Sequence, residues 1–280
     1  MDPPGGVVVS STATSYRISS RDFNLDATLD SGQVFGFVRE PDGWSGRIGG
    51  QPVRLAHERG RLRAEGAVTQ EALRLYFDLD RDLGPLYAHL EGDARLLPAL
   101  EKYRGLRLIR QDPWEALACF ILSSNNNVKR IRHIWRNLSS RLGGGGFPSA
   151  AAVARVHERT LRELGLGYRA PFLSRSAQFV AASPASLSHI RETAYGEARE
   201  RVLAFPGIGP KVADCVLLYG FQKYEAFPVD VWILRVMRKL YFSGRRVSPE
   251  RVRFFAAKRW GSHAGYLQQY LFHGVRTGIL

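Results

Sequence analysis

Residues 204–221 read AFPGIGPKVADCVLLYGF, and residues 226–234 read AFPVDVWIL. In the first segment a Pro-Gly-Ile-Gly turn stands directly before a helical run that opens at Lys211. Glycines let a turn bring its backbone N–H groups close to a phosphate, and a helix N-terminus attracts the same anion. The pattern therefore predicts a helix–hairpin–helix over about 195–220, in which Gly207 and Gly209 could approach a phosphate; taken alone, it fits an ordinary helix–helix turn as well.

A lysine and an aspartate beside this hairpin are suited to covalent chemistry. Lys211 is one of only six lysines in the chain, and i, i+4 spacing puts it on one helical face with Cys215 and Tyr219. Asp230 precedes an apolar helical run, where an aspartate usually caps the helix N-terminus. Capping holds a carboxylate in one place, so it does not exclude catalysis. Lys211 is therefore a candidate amine nucleophile, with Asp230 as its partner carboxylate.

The composition is typical of an intracellular protein and is compatible with nucleic-acid binding, although a basic protein need not bind nucleic acid. The 280 residues carry a formal net charge of +14, and excess arginine and lysine supply the sequence-independent part of nucleic-acid affinity. The two cysteines, Cys119 and Cys215, give neither a disulfide framework nor the spacing of a zinc or iron–sulfur site. No apolar run approaches the roughly 20 residues that span a bilayer. We expect no metal, no cofactor and no membrane partner.

Hydrophobic periodicity divides the chain into a sheet region and a helical region. Short runs separated by glycine-containing turns predict an antiparallel meander over 34–65, after which a helical period takes over. From Asp112, an N-cap candidate, the chain is helical to its end. The expected fold class is α+β, with a flexible tail at 1–15, an antiparallel sheet domain with helices at 16–111 and an all-helical domain at 112–280.

As one string, LAFPGIGPKVADC…PVDV resembles the signature of the helix-hairpin-helix DNA glycosylases, which have a Gly/Pro-rich loop followed by an aspartate. More narrowly, the chain resembles the 8-oxoguanine DNA glycosylase/lyase family. The stretches that agree with that family, in its order, are LDSGQVFGF (29–37), RQDPWEALACFILSSNNNVKRI (110–131), LGLGYRA (164–170) and WGSHAGYLQQYLF (260–272). The resemblance implies an N-terminal antiparallel sheet domain, similar to half of a TATA-binding protein, packed on an all-α helix-hairpin-helix domain. The short loops are similar to those of bacterial members.

The resemblance also implies a reaction on double-stranded DNA that contains oxidised guanine. Lys211 would attack C1′ of the damaged nucleotide, expel the base and form a Schiff base, after which β-elimination cleaves the strand. Asp230 would stabilise the positive charge that develops on the sugar. The enzyme would act as a monomer where the DNA lies, in the nucleoid of a bacterium or otherwise in a nucleus.

Four residues are implied by the resemblance to bind the extruded base. The backbone carbonyl of Gly32 would accept from N7–H, a donor that 8-oxoguanine has and guanine lacks. Gln268 would bond the Watson–Crick edge, while Phe272 and Cys215 would sandwich the ring. Gln268 and Phe272 are four residues apart, so one helix face can present both. Judged without the resemblance, Phe272 fits core packing equally well.

A second implied group opens the duplex, because chemistry on a base requires its removal from the stack. Tyr168 would wedge into the duplex, and Asn125 would fill the vacated space. Arg130 and Arg169 would read the orphaned cytosine. The sequence departs from the family at Trp232, where eukaryotic members have a histidine that meets a DNA phosphate; an indole N–H could replace it.

The sequence leaves two other functions open. A helix-hairpin-helix glycosylase could act on an alkylated purine, or on adenine opposite 8-oxoguanine, although one-step hydrolytic relatives generally lack a lysine at the position of Lys211. A non-catalytic DNA-binding protein could use the hairpin for phosphate alone, but it would not need Lys211, Asp230, Gly32 and Gln268 together. Asn127, in the NNN run, also fits a plain helix N-cap.

Overall fold

The computed structural model describes residues 14–19, 22–58 and 60–280. In that part of the chain the strands are β1 (Thr14–Ser19), β2 (Val38–Glu40), β3 (Gly43–Ile48), β4 (Gln51–Glu58) and β5 (Arg61–Gly66). The α-helices there are α1 (Leu25–Asp30), α2 (Gln70–Tyr76), α3 (Gly84–Glu91), α4 (Leu97–Tyr103), α5 (Pro113–Leu122), α6 (Val128–Leu142), α7 (Ala150–Ala154), α8 (Glu158–Leu161), α9 (Ala170–Ala182), α10 (Ala185–Glu192), α11 (Tyr195–Leu203), α12 (Pro210–Phe221), α13 (Val231–Tyr241), α14 (Pro249–Trp260) and α15 (Ala264–Arg276). A π-helical turn (Arg162–Leu166) and two 3-10 turns (Gly167–Arg169 and Gly261–His263) complete the helical elements.

The strands form one antiparallel sheet in the order β1-β5-β4-β3-β2. The predicted meander is confirmed, since β2 to β5 follow one another through short turns. The sequence analysis missed β1, which pairs with β5 so that Thr14 lies opposite Gly66. Residues 1–13 of the expected tail lie outside the described residues, and Thr14 and Ser15 belong to β1 rather than to a tail.

At the start of the predicted meander, residues 34–37 do not pair with another strand; pairing begins with β2, which lies beside β3. The residues before β2 are held by packing: Phe35 is buried in the helical core and Phe37 in the sheet core. Gly36 lies against Trp135, because a Cβ at this glycine would sit 2.6 Å from the indole ring. Tertiary contacts therefore replace strand pairing over 34–37, directly after the loop that contains Gly32.

Two hydrophobic clusters form the interior of the described chain. One lies under the sheet and includes Trp44 and Leu55 with Leu73 of α2. The other unites the helices from α3 onward, because the apolar faces of α3 and α4 contact α15. Ile109 belongs to the sheet cluster, whereas Ala27 and Phe35 belong to the helical one, so the cores do not divide at one point of the sequence. The domain boundary at residue 111 stays a prediction. No helix in the described part is long and apolar enough to cross a membrane.

Side-chain caps begin the helices where the sequence predicted them. The carboxylate of Asp112 accepts from Glu115 N at 2.9 Å, and Asn127 Oδ1 accepts from Arg130 N at 2.9 Å. Such caps satisfy N–H groups that have no partner within the helix. The sequence predicted Gln268 and Phe272 on one helix face, and α15 contains both.

A close approach between α15 and α12 generates a prediction about stability. A Cβ on Gly265 would lie 2.3 Å from Leu218 Cδ1 and 2.9 Å from the carbonyl oxygen of Tyr224. We expect Gly265→Ala to lower the free energy of unfolding by about 1–3 kcal/mol, because a backbone atom must move. Denaturant unfolding measures this effect.

The matched control is Gly196→Ala in α11, where an added Cβ meets no atom within 4 Å. This variant should be more stable by roughly 0.5–1 kcal/mol, because alanine favours a helix over glycine. Equal stability of the two variants would contradict the close approach of α15 to α12.

Candidate active site

One cavity of about 440 Å³ gathers the residues that the sequence assigned to catalysis and base binding. Its lining combines the loop after α1, the end of α5, the start of α6, α12, the segment before α13, and α15. The predicted residues in the lining are Lys211, Asp230, Gly32, Cys215, Gln268 and Phe272. The volume lies within the range of about 300–1,000 Å³ that is usual for small-ligand pockets. These six segments thus line one space, while the role of each residue stays a prediction.

The amine of Lys211 is half-buried at the first turn of α12. Its Nζ donates to Ser123 Oγ at 3.5 Å and lies 5.9 Å from the centre of the Phe120 ring. Ser123 in turn donates its hydroxyl hydrogen to the Phe120 carbonyl at 2.7 Å. The amine forms no ion pair with a carboxylate in the described part of the chain. Among the described residues Lys211 is therefore held by a hydroxyl and an aromatic face and not by a carboxylate.

Cys215, one turn further along α12, presents an uncharged thiol to the cavity beside the Lys211 amine. Burial raises the pKa of its thiol to about 11, although the nearby Lys211 opposes the shift. At neutral pH the thiol therefore stays protonated. It neither competes as a thiolate nucleophile nor forms an ion pair with the lysine. The predicted place of Cys215 against an aromatic base is consistent with this uncharged surface.

Asp230 lies at the cavity with one oxygen committed to the backbone. Its Oδ1 accepts from Ile233 N at 2.7 Å and caps α13, as the sequence predicted. The second carboxylate oxygen accepts no hydrogen bond from any residue in the described ranges. The cap fixes the orientation of the carboxylate and leaves this second oxygen available to a group in the cavity.

Gln268 and Gly32 shape the other end of the cavity. Gln268 is 4% exposed, and its Oε1 is buried without a hydrogen-bond partner among the described residues. This oxygen therefore remains available to a hydrogen-bond donor in the cavity. Gly32 has φ +83, and a Cβ there would lie 3.4 Å from the Phe272 ring and 3.6 Å from Val128. Glycine at this position permits the backbone conformation and keeps the cavity open.

Two of the residues predicted to open the duplex are neighbours on the surface outside the cavity. Tyr168 is 48% exposed and donates its hydroxyl hydrogen to the Ser124 carbonyl at 3.1 Å. Asn125 lies beside it, with its Nδ2 3.4 Å from the Tyr168 hydroxyl. Asn125 also has φ +47, in the left-handed region, which asparagine tolerates better than most residues. An exposed aromatic ring and an exposed amide thus stand together.

The two arginines predicted to read cytosine have different environments. Arg130 is exposed on α6, and its guanidinium makes no hydrogen bond within the described residues. Arg169 is 4% exposed and donates from Nε to the Ser124 carbonyl at 2.8 Å and from a terminal nitrogen to the Asn125 carbonyl at 2.9 Å. Of the two, only Arg130 presents a guanidinium that is available to a base. The loop carbonyls occupy the Arg169 guanidinium in this structure, and its role in reading cytosine stays a prediction.

The residues of the chain match two family descriptions. Residues 15–117 match the N-terminal domain of 8-oxoguanine DNA glycosylase, and residues 118–262 match the HhH-GPD superfamily of base excision DNA repair proteins. The chain belongs to the 8-oxoguanine DNA glycosylase family. The α+β architecture of a sheet followed by a helical domain is that of the family, as predicted.

Three relatives illustrate the similarity. The chain is 36% identical to a probable N-glycosylase/DNA lyase of Methanothermobacter thermautotrophicus, over 94% of this chain and 97% of that protein. It is 31% identical to the N-glycosylase/DNA lyase of Saccharomyces cerevisiae, over 72% of this chain and 66% of that protein. The solved complex of Clostridium acetobutylicum 8-oxoguanine glycosylase/lyase with duplex DNA that contains cytosine opposite 8-oxoguanine is 30% identical. It superposes with a TM-score of 0.87 and covers 95% of this chain and 99% of that one.

The hairpin and the cavity mouth of this family member carry two further predicted features. Gly207 has φ +76, and a Cβ there would lie 2.5 Å from the Phe172 ring, while a Cβ on Gly209 would meet no atom within 4 Å. The open space at Gly209 suits the predicted approach of a phosphate. Trp232, 49% exposed, lines the cavity mouth, and the Arg235 guanidinium lies 5.6 Å from its ring centre.

Sequence reasoning missed other residues that line the cavity. Phe35, Phe120, Ser123 and Arg276 were not assigned to it, and Tyr219 was noted only as a face-mate of Lys211. For Tyr219 the sequence signal was its helical spacing from Lys211. The others reach the cavity through the packing of distant segments, for which the sequence alone carries no short-range signal.

Proposed function

We propose that this family member excises 8-oxoguanine from duplex DNA, with cytosine as the opposite base, and then nicks the strand as a bifunctional glycosylase and lyase of base excision repair. The observation that carries the proposal is the joint lining of one cavity by Lys211, Asp230, Gly32 and the unpaired oxygen of Gln268. The relative from Clostridium acetobutylicum, solved with 8-oxoguanine opposite cytosine, supports the lesion and its partner base.

In the proposed reaction, the neutral amine of Lys211 attacks C1′ of the flipped nucleotide. The N-glycosidic bond breaks, and its electron pair leaves with the base, which takes up a proton. Proton loss from the amine and opening of the sugar give a Schiff base between Nζ and C1′. Removal of a C2′ proton then expels the 3′ phosphate by β-elimination, and water releases the lysine. The uncommitted oxygen of Asp230 is suited to stabilise the positive charge that develops on the sugar.

Recognition of the lesion is assigned to two acceptors. The carbonyl of Gly32 accepts from N7–H of 8-oxoguanine, whereas guanine presents a lone pair at N7 that would repel it. One hydrogen bond gained against one repulsion gives about 1–3 kcal/mol of discrimination. Gln268 Oε1 accepts from the N1–H and N2–H donors on the Watson–Crick edge of a guanine-type base. An acceptor at that position favours a guanine-type lesion over an alkylated adenine, whose edge has a different donor pattern.

The surface around Tyr168 and Asn125 is assigned to the opened duplex. The exposed ring suits a wedge between bases, the amide suits the vacated position, and the free guanidinium of Arg130 suits the orphaned cytosine. The net charge of +14 provides the phosphate attraction that holds the duplex. The protein then acts where the chromosomal DNA lies, in the nucleoid if the source is a bacterium and otherwise in a nucleus.

Replacement of the nucleophile tests the chemistry directly. Lys211→Gln should abolish excision of 8-oxoguanine and should retain DNA affinity, because charges elsewhere provide that affinity. Borohydride reduction on 8-oxoguanine duplex should trap the wild-type protein and not the variant. Lys258→Gln, which removes an exposed lysine outside the cavity, is the matched control and should be trapped like wild type. Undiminished trapping of Lys211→Gln would refute the assignment.

Asp230 can be separated from its structural role because asparagine also caps helices well. Asp230→Asn should keep the stability of the protein within about 0.5 kcal/mol. It should slow single-turnover excision by about 100-fold or more, since the negative charge that faces the developing cation is gone. Asp112→Asn makes the same change at an N-cap outside the cavity and should not slow excision. Normal excision by Asp230→Asn would show that Asp230 acts only as a helix cap.

The two arginines give a paired test of cytosine recognition. Wild type should excise 8-oxoguanine faster opposite cytosine than opposite adenine, and Arg130→Ala should reduce that ratio by on the order of tenfold at unchanged stability. Arg169→Ala should lower the midpoint of thermal unfolding, because the Ser124 and Asn125 carbonyls lose their donors. If Arg130→Ala excised with the wild-type preference, Arg130 would not read the opposite base.

A further inference from the structure

The loop that contains Gly32 is held on both sides of this glycine by glutamine amides. The carbonyl of Ser31 accepts from Gln269 Nε2 at 3.0 Å, and the carbonyl of Gln33 accepts from Gln111 Nε2 at 2.7 Å. The Gly32 carbonyl between them accepts no hydrogen bond from a residue in the described ranges, and Gly32 lines the cavity. Of three successive carbonyls, the outer two are therefore fixed and the middle one is available.

Both glutamines form hydrogen bonds with Tyr219, which lies two turns beyond Lys211 on the same face of α12. The Tyr219 hydroxyl donates to Gln269 Oε1, and the Tyr219 carbonyl accepts from Gln111 N at 3.0 Å. The orientation of the Gln269 amide follows from its partners. The Ser31 carbonyl can only accept, so the amide nitrogen faces it, and the amide oxygen faces the hydroxyl. A single residue of the helix that carries the proposed nucleophile thus connects to both sides of the glycine.

The connection is fully buried. Gln269 and Ser31 are 0% exposed, and Tyr219 is 4% exposed. Buried hydrogen bonds hold a narrow distance between donor and acceptor, and a buried group left unpaired is destabilising. The network therefore fixes the distance between α12 and the Gly32 loop. Gln269 itself does not line the cavity, so it can act on a bound base only through the groups that it holds, the Gly32 loop and Tyr219.

We propose that Tyr219 and Gln269 are positioning residues that set the Gly32 carbonyl at hydrogen-bonding distance from the lesion held beside Lys211. This inference rests on the proposed function, in which that carbonyl reads N7–H. The hydrogen bond that distinguishes the two bases depends on donor–acceptor distances of about 2.7–3.2 Å. A displacement of the loop by a fraction of an ångström therefore weakens recognition of the base without moving Lys211 from its helix.

Two single variants test the network. Gln269→Met keeps a side chain of similar length and removes both of its hydrogen bonds, and Tyr219→Phe keeps the ring and removes the hydroxyl. The control is Tyr270→Phe, which deletes a hydroxyl from a fully buried tyrosine next to Gln269 and outside the cavity. Two single-turnover rates are measured for each protein: excision of 8-oxoguanine opposite cytosine, and cleavage at a preformed abasic site. The second reaction needs the lysine and no base.

The expected result is a loss in 8-oxoguanine excision on the order of tenfold for Gln269→Met and for Tyr219→Phe, with a much smaller change at the abasic site. The preference for binding 8-oxoguanine duplex over undamaged duplex should fall in parallel. The double variant should lose no more than the larger single loss, because both changes interrupt the same connection. Tyr270→Phe should keep the wild-type ratio of the two rates.

Other results would overturn the inference. Equal losses in both reactions would show general disruption of the cavity, and wild-type excision by both variants would show that the network does not position the carbonyl. If Gln269→Met does not fold, Tyr219→Phe decides between these outcomes alone. A wild-type protein that cleaves abasic DNA and leaves 8-oxoguanine in place would instead refute the proposed substrate, which is a separate failure.

Discussion

The close packing of α5 against α12 determines the geometry of the whole site. A Cβ on Gly220 would lie 3.0 Å from Ala116 Cβ, so glycine lets the end of α12 approach the start of α5. The helices run antiparallel, and the opposite end of the same pair brings Ser123 to the amine of Lys211. The loop that contains Gly32 and helix α15 then close the cavity around these two helices. Displacement of one helix along the other would separate the amine from its hydroxyl partner.

The groups proposed to act on the base lie apart from most of the positive charge of the chain. The positive charge is spread over the chain, where water and salt screen it. The cavity contains a neutral thiol, a carboxylate fixed by a helix N-terminus and an unpaired amide oxygen. Electrostatic interactions are stronger in such a partly dehydrated space than on the surface. Affinity and chemistry can therefore change independently of each other.

The sequence predicted those features whose physical cause lies within a few residues. The caps at Asp112, Asn127 and Asp230 are bonds to an N–H three residues further on, and helical faces follow from spacing. The grouping of the six cavity residues came from the family resemblance and not from spacing. The pairing of β1, the burial of Arg169 and the bond between Gln269 and Ser31 depend on partners more than 40 residues away. No local pattern encodes such contacts, so the sequence did not predict them.

The buried guanidinium of Arg169 has a thermodynamic consequence for DNA binding. By holding the carbonyls of Ser124 and Asn125, it orders the loop next to Tyr168 when the chain folds. The conformational entropy of that loop is therefore lost before any DNA is present. A loop that is ordered only on binding would add an unfavourable entropy to each association with a lesion. Here the surface proposed to meet the opened duplex is ordered in advance, and the cost of its order is part of the stability of the free protein.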